Sequence, residues 1–378
     1  MKDNAHNDKL KSSAIIIGQE LAMNVYAKNG LLLLKRGHYV LTPDMKAKLV
    51  NMGYTDQKIE AKPVEKPDLN DHKTQSLFDE VMFLHQRVRN LLHNALRLPQ
   101  LEQRVRAIAA DIITLSERNP DGLIAALLLL PFQEYSPAHA AHTASLLALL
   151  TGRLRLPAGH RETLLCAALT MNISKLELHN ALFAQQEQPH NDQRELINAH
   201  PLLSSAILRE AGIEDELWHT LVQSHHENWQ GTGYPYGLPR EQILPPAHLL
   251  HLADIVCAKL TPRRYRPAQL PAAALGNVFT RKDVDFDANF TAMLIRELGV
   301  YPPGSFVKLA SNEIAVVLQR RPHRPSEPLV AALRKVDGPA YGQPLLRETF
   351  HAGYKITGPC TVAQAGVRIS FLAGLWKA

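Results

Sequence analysis

The sequence predicts a mainly α-helical protein: a helical bundle with a small N-terminal β module and a β-rich C-terminal extension. Three observations predict it. From about residue 73 to 298, apolar residues recur every three or four positions, as in SLFDEVMFLHQRVRNLL and LEQRVRAIAADIITL, the period of helices with one buried face. Near the N-terminus, short apolar runs flank Lys28-Asn29-Gly30, and Asn-Gly is a hairpin signal. After Tyr301-Pro302-Pro303-Gly304 the apolar period changes to two, as in half-buried strands.

In chain order, residues 1–13 are polar and read as a disordered tail. Residues 14–60 read as the β module: AIII leads into AMNVYA, the Asn-Gly turn and LLLL. Thr42 with Pro43 just inside it is a helix start, and Gly53 a stop. Residues 61–72, AKPVEKPDLNDH, carry two prolines and several charges and read as a linker. Residues 73–298 read as seven or more helices, with Pro131, Pro137, Pro201, Pro235, Pro245 and Pro246 falling between them. In residues 299–378, SFVKLASNEIAVVLQ reads as two strands around Ser311-Asn312-Glu313. EPLVAALRKV and GVRISFLAGLW add further strands or a final helix.

Composition narrows the class. The chain has 378 residues, 46% of them hydrophobic and 21% charged, which is ordinary globular usage and excludes wholesale disorder. Cys166, Cys257 and Cys360 are too few and too scattered for a disulfide scaffold, and no CxxC pair offers a cysteine zinc ribbon. The longest apolar run, Leu123 to Phe132, is about half of the ~20 residues a spanning helix needs. The polar N-terminus has no signal-like stretch, so a cytoplasmic protein without a membrane partner is expected. The net charge of +6 is modest, and the one clear basic cluster is Arg263, Arg264 and Arg266 around Tyr265. It reads as a solvated face or as a grip for a small phosphate ligand, not as a nucleic-acid surface.

Histidine is the unusual residue: 18 in all, with His139, His142, His200, His225, His226, His248 and His251 in the middle of the chain. It is the commonest metal ligand. The densest segment is His225 to Leu238, HHENWQGTGYPYGL. Two adjacent histidines end a predicted helix and run into a loop whose Gly231, Gly233 and Gly237 permit positive φ. On a regular helix such neighbours point about 100° apart, but at a helix end they can converge on one ion.

This segment resembles the HD-GYP family, phosphodiesterases that cleave the bacterial messenger cyclic di-GMP. The family motif is close to HHExxDGxGYPxGL, and the chain matches it except for Gln230 in place of the aspartate. The likeness runs from about Tyr135 to Pro267, inside a domain spanning 73–298 with its core at 130–270. It implies an HD-superfamily bundle. Tyr135-Ser136-Pro137-Ala138-His139 sits where the family has its first ligand histidine, and Ala199-His200-Pro201 resembles its mid-domain ligand. LADIVCAKLTPRRYRPA follows VADxxDAxTxxRPYRPA, which puts Asp254 on the last metal carboxylate, with Cys257, Leu260 and Arg264 as departures. The resemblance implies a phosphate contact for Lys175, and guanine or phosphate contacts for Arg263 and Arg266. It makes Gly231, Gly233, Tyr234 and Pro235 the GYP loop; Tyr234 itself is read as a packed turn anchor and not as a catalytic group.

The decisive departure is AALTMNISKLELHNAL, where the family has a stretch close to AALLHDIGKIGIPDxIL. Met171 takes the place of the name-giving histidine, Asn172 of the aspartate and Ser174 of the glycine. In the family that aspartate bridges two metal ions. A neutral amide is a poor substitute for it, and a thioether is too soft for iron, manganese or magnesium. The expectation is at most one divalent ion (iron, manganese or zinc) on His200, His225 and His226, with His139 and Asp254 too few to hold another. The alternative is a polar, hydrogen-bonded pocket left by a lost metal site. Glu134, five residues before His139, lies on another helical face and is not expected to add a ligand. His142 is read as a face residue, His248 and His251 as packing or surface residues, and Cys257 as a buried apolar-face residue.

The expected function is therefore a catalytically degenerate HD-GYP protein that binds cyclic di-GMP or a related cyclic dinucleotide. It would also bind partner proteins, including diguanylate cyclase domains through the GYP loop, and a homodimer is left open. The retained His139, His200, His225, His226 and Asp254 keep an active metal-dependent phosphodiesterase as the alternative.

Overall fold

The computed structural model describes residues 8–17, 21–28, 32–36, 40, 43–55, 76–154, 156–157, 159–261, 270–281, 285–321 and 323–376. Its chain divides into two compact units, Met1–Thr74 and Gln75–Ala378.

In the first unit, β1 (Asp8–Lys9), β2 (Val25–Tyr26), β3 (Leu32–Leu34) and β4 (Tyr54–Thr55) form an antiparallel sheet in the order β1-β4-β2-β3. Helix α1 spans Pro43–Met52. Strand β1 corrects the expectation of a tail through residue 13: Asp8 and Lys9 pair with Thr55 and Tyr54, and Leu10 is buried beside them. The expected hairpin forms, with Val25 opposite Leu34, although Asn29 and Gly30 lie outside the described residues. So do Thr42, residues 1–7 and the linker at 61–72. Gly53 follows the end of α1, and the close approach there requires a glycine: a Cβ would lie 2.4 Å from the Leu49 carbonyl and 2.7 Å from Val25 Cγ1.

The second unit begins with α2 (Leu77–His93), started by a Ser76–Asp79 capping box. It continues through α3 (Leu101–Arg118), α4 (Pro120–Leu129), α5 (Tyr135–Thr151), α6 (His160–Thr170), α7 (Leu176–Ala184), α8 (Asn191–Glu210), α9 (Glu216–Ser224), α10 (Pro245–Leu260), α11 (Pro271–Thr280) and α12 (Ala288–Leu298). Every residue of α5 is buried, so it is the central helix of the bundle. Helices α2, α3, α6 and α10 pack around it. Among the described residues, no helix is long and apolar enough to cross a membrane.

Four prolines expected between helices lie within them: Pro245 and Pro246 open α10, where proline is well tolerated, and Pro137 and Pro201 lie further in. Pro137 occupies the first turn of α5, where its missing N–H costs nothing, whereas Pro201 lies inside α8.

Strands β5 (Phe306–Leu309), β6 (Glu313–Gln319), β7 (Leu329–Lys335), β8 (Ala340–Glu348) and β9 (Ile356–Cys360) form an antiparallel sheet in the order β8-β7-β6-β5-β9. Asn312, at φ 61°, makes the β5–β6 turn. The chain then ends in the short helices α13 (Val362–Ala365) and α14 (Ile369–Leu372), so GVRISFLAGLW is helical and not a strand.

The expected β-rich C-terminal region packs its sheet on the helical bundle. Ile314, Val316, Leu318, Ala331 and Leu333 join the same core as the helices, while Ala315, Val317, Val330 and Ala332 form a small cluster on the other face. Trp376 stacks on Phe78 of α2 with ring centroids 5.7 Å apart, and its Nε1 donates to the Leu318 carbonyl. The face shared with the helices puts the sheet in the same compact unit as the bundle, residues 75–378.

Candidate functional site

The site lies where α5, α8, α10, the end of α9 and the turn after α6 meet. His200 owes its orientation to Pro201. A proline has no N–H, so the carbonyl of Ile197, four residues back, loses its helical donor. His200 Nδ1 takes that place at 2.5 Å, which leaves Nε2 facing the site. His225 is oriented the same way: it caps α9, and its Nδ1 reaches the Val222 carbonyl at 2.6 Å. His226 follows as the chain leaves the helix, so the two adjacent rings converge, with centroids 4.2 Å apart.

The ligand nitrogens of His200, His225 and His226 all lie within 4.8 Å of one another. A carbonyl only accepts, so both Nδ1 atoms carry hydrogen, and the neutral rings present Nε2 lone pairs. Those two Nε2 atoms are 3.1 Å apart, lone pair against lone pair. His226 Nε2 is buried without a hydrogen-bond partner. Acceptors turned toward one another in a buried space fit a cation, and three imidazoles suit zinc or a similar divalent ion. Burial first, then nearby positive charge including Lys175, holds all three imidazoles below the usual histidine range, His225 at about 4. Neutral imidazole is the form that ligates.

His139 and Asp254 stand beside this cluster and are engaged with each other. His139 Nε2 lies 2.6 Å from Asp254 Oδ1. Burial would raise the Asp254 carboxyl, but the hydrogen bond from His139 and the charge of that ring outweigh it and hold the group well below the usual carboxylate range. Met171 caps α6 and is fully buried. Asn172 is also buried, and its Oδ1 has no hydrogen-bond partner. Lys175 ends the short turn Ile173–Lys175, close enough for its charge to act on the three histidines. Ser174, which replaces a family glycine, donates to the His200 carbonyl at 3.0 Å and bonds Ser204 at 2.9 Å, tying this turn to α8.

The glycine-rich loop is held by Glu227, which accepts from the backbone amides of Tyr236 (2.8 Å) and Leu238 (2.9 Å). Gly231 and Gly237 take φ of 70° and 64°. Gly233 passes so close to the chain that a Cβ would lie 2.5 Å from Glu227 Cα. Tyr234 stacks on His226 at 4.6 Å, the anchoring role expected of it, and Pro235 follows through a cis peptide. Gln230 donates to Asp285 at 3.1 Å, where the family aspartate would meet a like charge.

The remaining candidates fall into place around this centre. Glu134 is held by Arg89 and by His93 at 2.7 Å, so its carboxylate is engaged elsewhere. His142 is buried beside His85, with ring centroids 5.0 Å apart. His248 packs on Trp229, and Cys257 is buried with its thiol pushed up to about 12. His251 donates from Nδ1 to the His225 carbonyl at 2.9 Å, a supporting role beyond packing. Arg263 and Arg266 lie outside the described residues. Sequence reasoning missed His179, whose ring meets His139 edge-on at 5.4 Å and whose Nδ1 lies 3.1 Å from Ser136 Oγ. No motif marks it. The HHE triplet could have flagged Glu227.

Comparison with known proteins agrees with this architecture. The chain matches the family described as HD domain over residues 89–290. It is 26% identical over 203 residues to a cyclic di-GMP phosphodiesterase of Pseudomonas aeruginosa, covering 54% of this chain and 49% of that protein. It is 25% identical over 197 residues to cyclic di-GMP phosphodiesterase PdeB of Borreliella burgdorferi, covering 52% of each. The chain thus spans about half the length of these curated relatives. Among solved structures, an HDG"Y"P protein from Bdellovibrio bacteriovorus superposes with a TM-score of 0.52 at 15% identity, covering 75% of this chain and 97% of that one, a likeness of fold.

Proposed function

The chain belongs to the HD domain family, in its HD-GYP branch, and from that premise we propose that it serves bacterial cyclic di-GMP signalling as a catalytically degenerate, ligand-binding member holding at most one metal ion. One observation carries the reading: His139 Nε2 and Asp254 Oδ1 are hydrogen-bonded at 2.6 Å, beside a methionine and an asparagine in place of the family's histidine and aspartate. No carboxylate remains at position 172 to bridge two ions.

His200, His225 and His226 would hold the single ion, which when bound would supply a Lewis acid for a phosphate oxygen. Lys175 adds a positive charge for the same phosphate, and Arg263 and Arg266 are assigned the guanine or phosphate contacts of the ligand. With binding groups kept and the bridging group lost, the ligand is held and not cleaved.

The loop is assigned to partner proteins, diguanylate cyclase domains among them. Tyr234 is packed on His226, so the aromatic that the loop offers outward is Tyr236, 54% exposed.

The test is to measure binding and turnover of cyclic di-GMP on one preparation of known metal content. Saturable binding without release of linear pGpG or GMP is expected. Multiple turnover by the wild-type chain would replace this reading with that of an active phosphodiesterase.

A further inference from the structure

A cleft of about 270 Å³ opens where the helices meet the sheet, well away from the histidines. Leu149 on its wall lies ten residues beyond His139 on α5, about 15 Å along the helix axis. Three guanidiniums line the cleft: Arg153, Arg161 and Arg320.

Their existing contacts leave donors to spare. Arg161 gives Nη1 to Glu117, Nη2 to the Ala148 carbonyl at 3.1 Å and Nε to Thr151 Oγ1 at 3.3 Å. Arg320 gives Nε to Asp121 and Nη1 to the Glu297 carbonyl. Arg153 pairs through Nε with Glu297 Oε1 at 3.2 Å. A guanidinium carries five N–H donors, so each of the three retains at least two.

The two carboxylates on the wall, Glu117 and Glu297, each already face a guanidinium. The Glu297 carboxylate faces Arg153, Arg296 and Arg320 together. One carbonyl near the C-terminal end of each of α5 and α12 accepts from Arg161 and Arg320, which offsets part of the negative helix-end charge there. Arg161 stands in the first turn of α6, whose N-terminus has no side-chain cap and adds positive partial charge. The spare donors of three guanidiniums suit a ligand that brings acceptors and negative charge, and paired oxygens match the fork of a guanidinium. The volume lies below the roughly 300–1,000 Å³ of drug-sized ligand pockets, so the ligand is smaller than a dinucleotide.

We propose that this cleft is a second binding site, for a small phosphate- or carboxylate-bearing anion, independent of the histidine site. A bound anion would bridge Arg153 and Arg161 on the helical side to Arg320 at the end of β6.

The experiment titrates the full chain with inorganic phosphate, a phosphate monoester (glycerol phosphate) and a dicarboxylate (succinate). Ionic strength is fixed with chloride, and binding is read by calorimetry and thermal shift. Saturable one-site binding of at least one of them is expected, and the three arms separate phosphate from carboxylate recognition. Arg153→Gln changes an exposed side chain and should weaken that binding tenfold or more, with the circular dichroism spectrum and metal content unchanged. Arg320→Gln should weaken it further, and if that variant fails to fold, Arg153→Gln still decides. No saturable binding of any of the three, or equal binding by wild type and Arg153→Gln, would overturn the proposal.

Discussion

The imidazole of His139 and the carboxylate of Asp254 are hydrogen-bonded directly, 2.6 Å apart, within the buried centre of the bundle. Two groups that the family resemblance makes metal ligands here bond each other, while His200, His225 and His226 converge with two unprotonated nitrogens only 3.1 Å apart. A converging group of three imidazoles and a hydrogen-bonded histidine–aspartate pair thus stand side by side.

Metal content follows from that division. Elemental analysis of the purified chain should give no more than about one divalent ion per chain. His225→Ala should remove it, since two imidazoles hold such ions weakly, whereas His139→Ala should leave it in place. Two tightly bound ions in the wild type would contradict the division.

The loop gives a steric prediction. Gly233→Ala would put a Cβ 2.5 Å from Glu227 Cα and from the His226 carbonyl oxygen, both backbone atoms. The chain must shift, at a cost of about 1–3 kcal/mol by analogy with overpacked cores. Urea unfolding should report that loss together with weaker metal binding. An unchanged midpoint would show that the loop yields freely.

Much of this was legible in residue order. The three- and four-residue apolar spacing of α2 and α3 marked amphipathic helices, and HHENWQGTGYPYGL located the histidine cluster. The burial partner of the C-terminal sheet was not legible: Ile314, Val316 and Leu318 alternate like any half-buried strand, and alternation does not say what covers it. Pro201 read as a helix breaker, because the compensating bond from His200 to Ile197 is made by a side chain. The strand Asp8–Lys9 is polar and held by backbone pairing, so it leaves no apolar pattern. His179 is a single histidine whose importance comes only from folding against His139.

Acid should weaken the sheet through Glu313. Although burial opposes ionisation, Arg347, Ser311 and Tyr341 all bond this carboxylate and lower it to about 2. A depressed carboxyl contributes stability that is present above its unfolded pKa, near 4.5, and is lost as pH falls toward 2. The urea midpoint of the wild type should fall between pH 5 and pH 3 more steeply than that of Glu313→Gln. Parallel slopes would remove Glu313 from the account.

Partner docking should depend on the exposed Tyr236, not on the packed Tyr234. Tyr236→Ala should abolish capture of a diguanylate cyclase domain while metal content stays at the wild-type level. Equal capture by both proteins would place the interaction elsewhere.

The most direct test of the degenerate reading is to restore the missing pair with Met171→His plus Asn172→Asp and to measure release of pGpG or GMP from cyclic di-GMP with manganese or ferrous iron supplied. Asn→Asp is nearly isosteric, and the Asn172 Oδ1 it alters has no hydrogen-bond partner to lose. Each single change should do little, because groups that act as a unit are non-additive. The account predicts turnover by the double variant alone, with metal content rising toward two ions. Turnover by the wild type at a rate comparable with the double variant would contradict it.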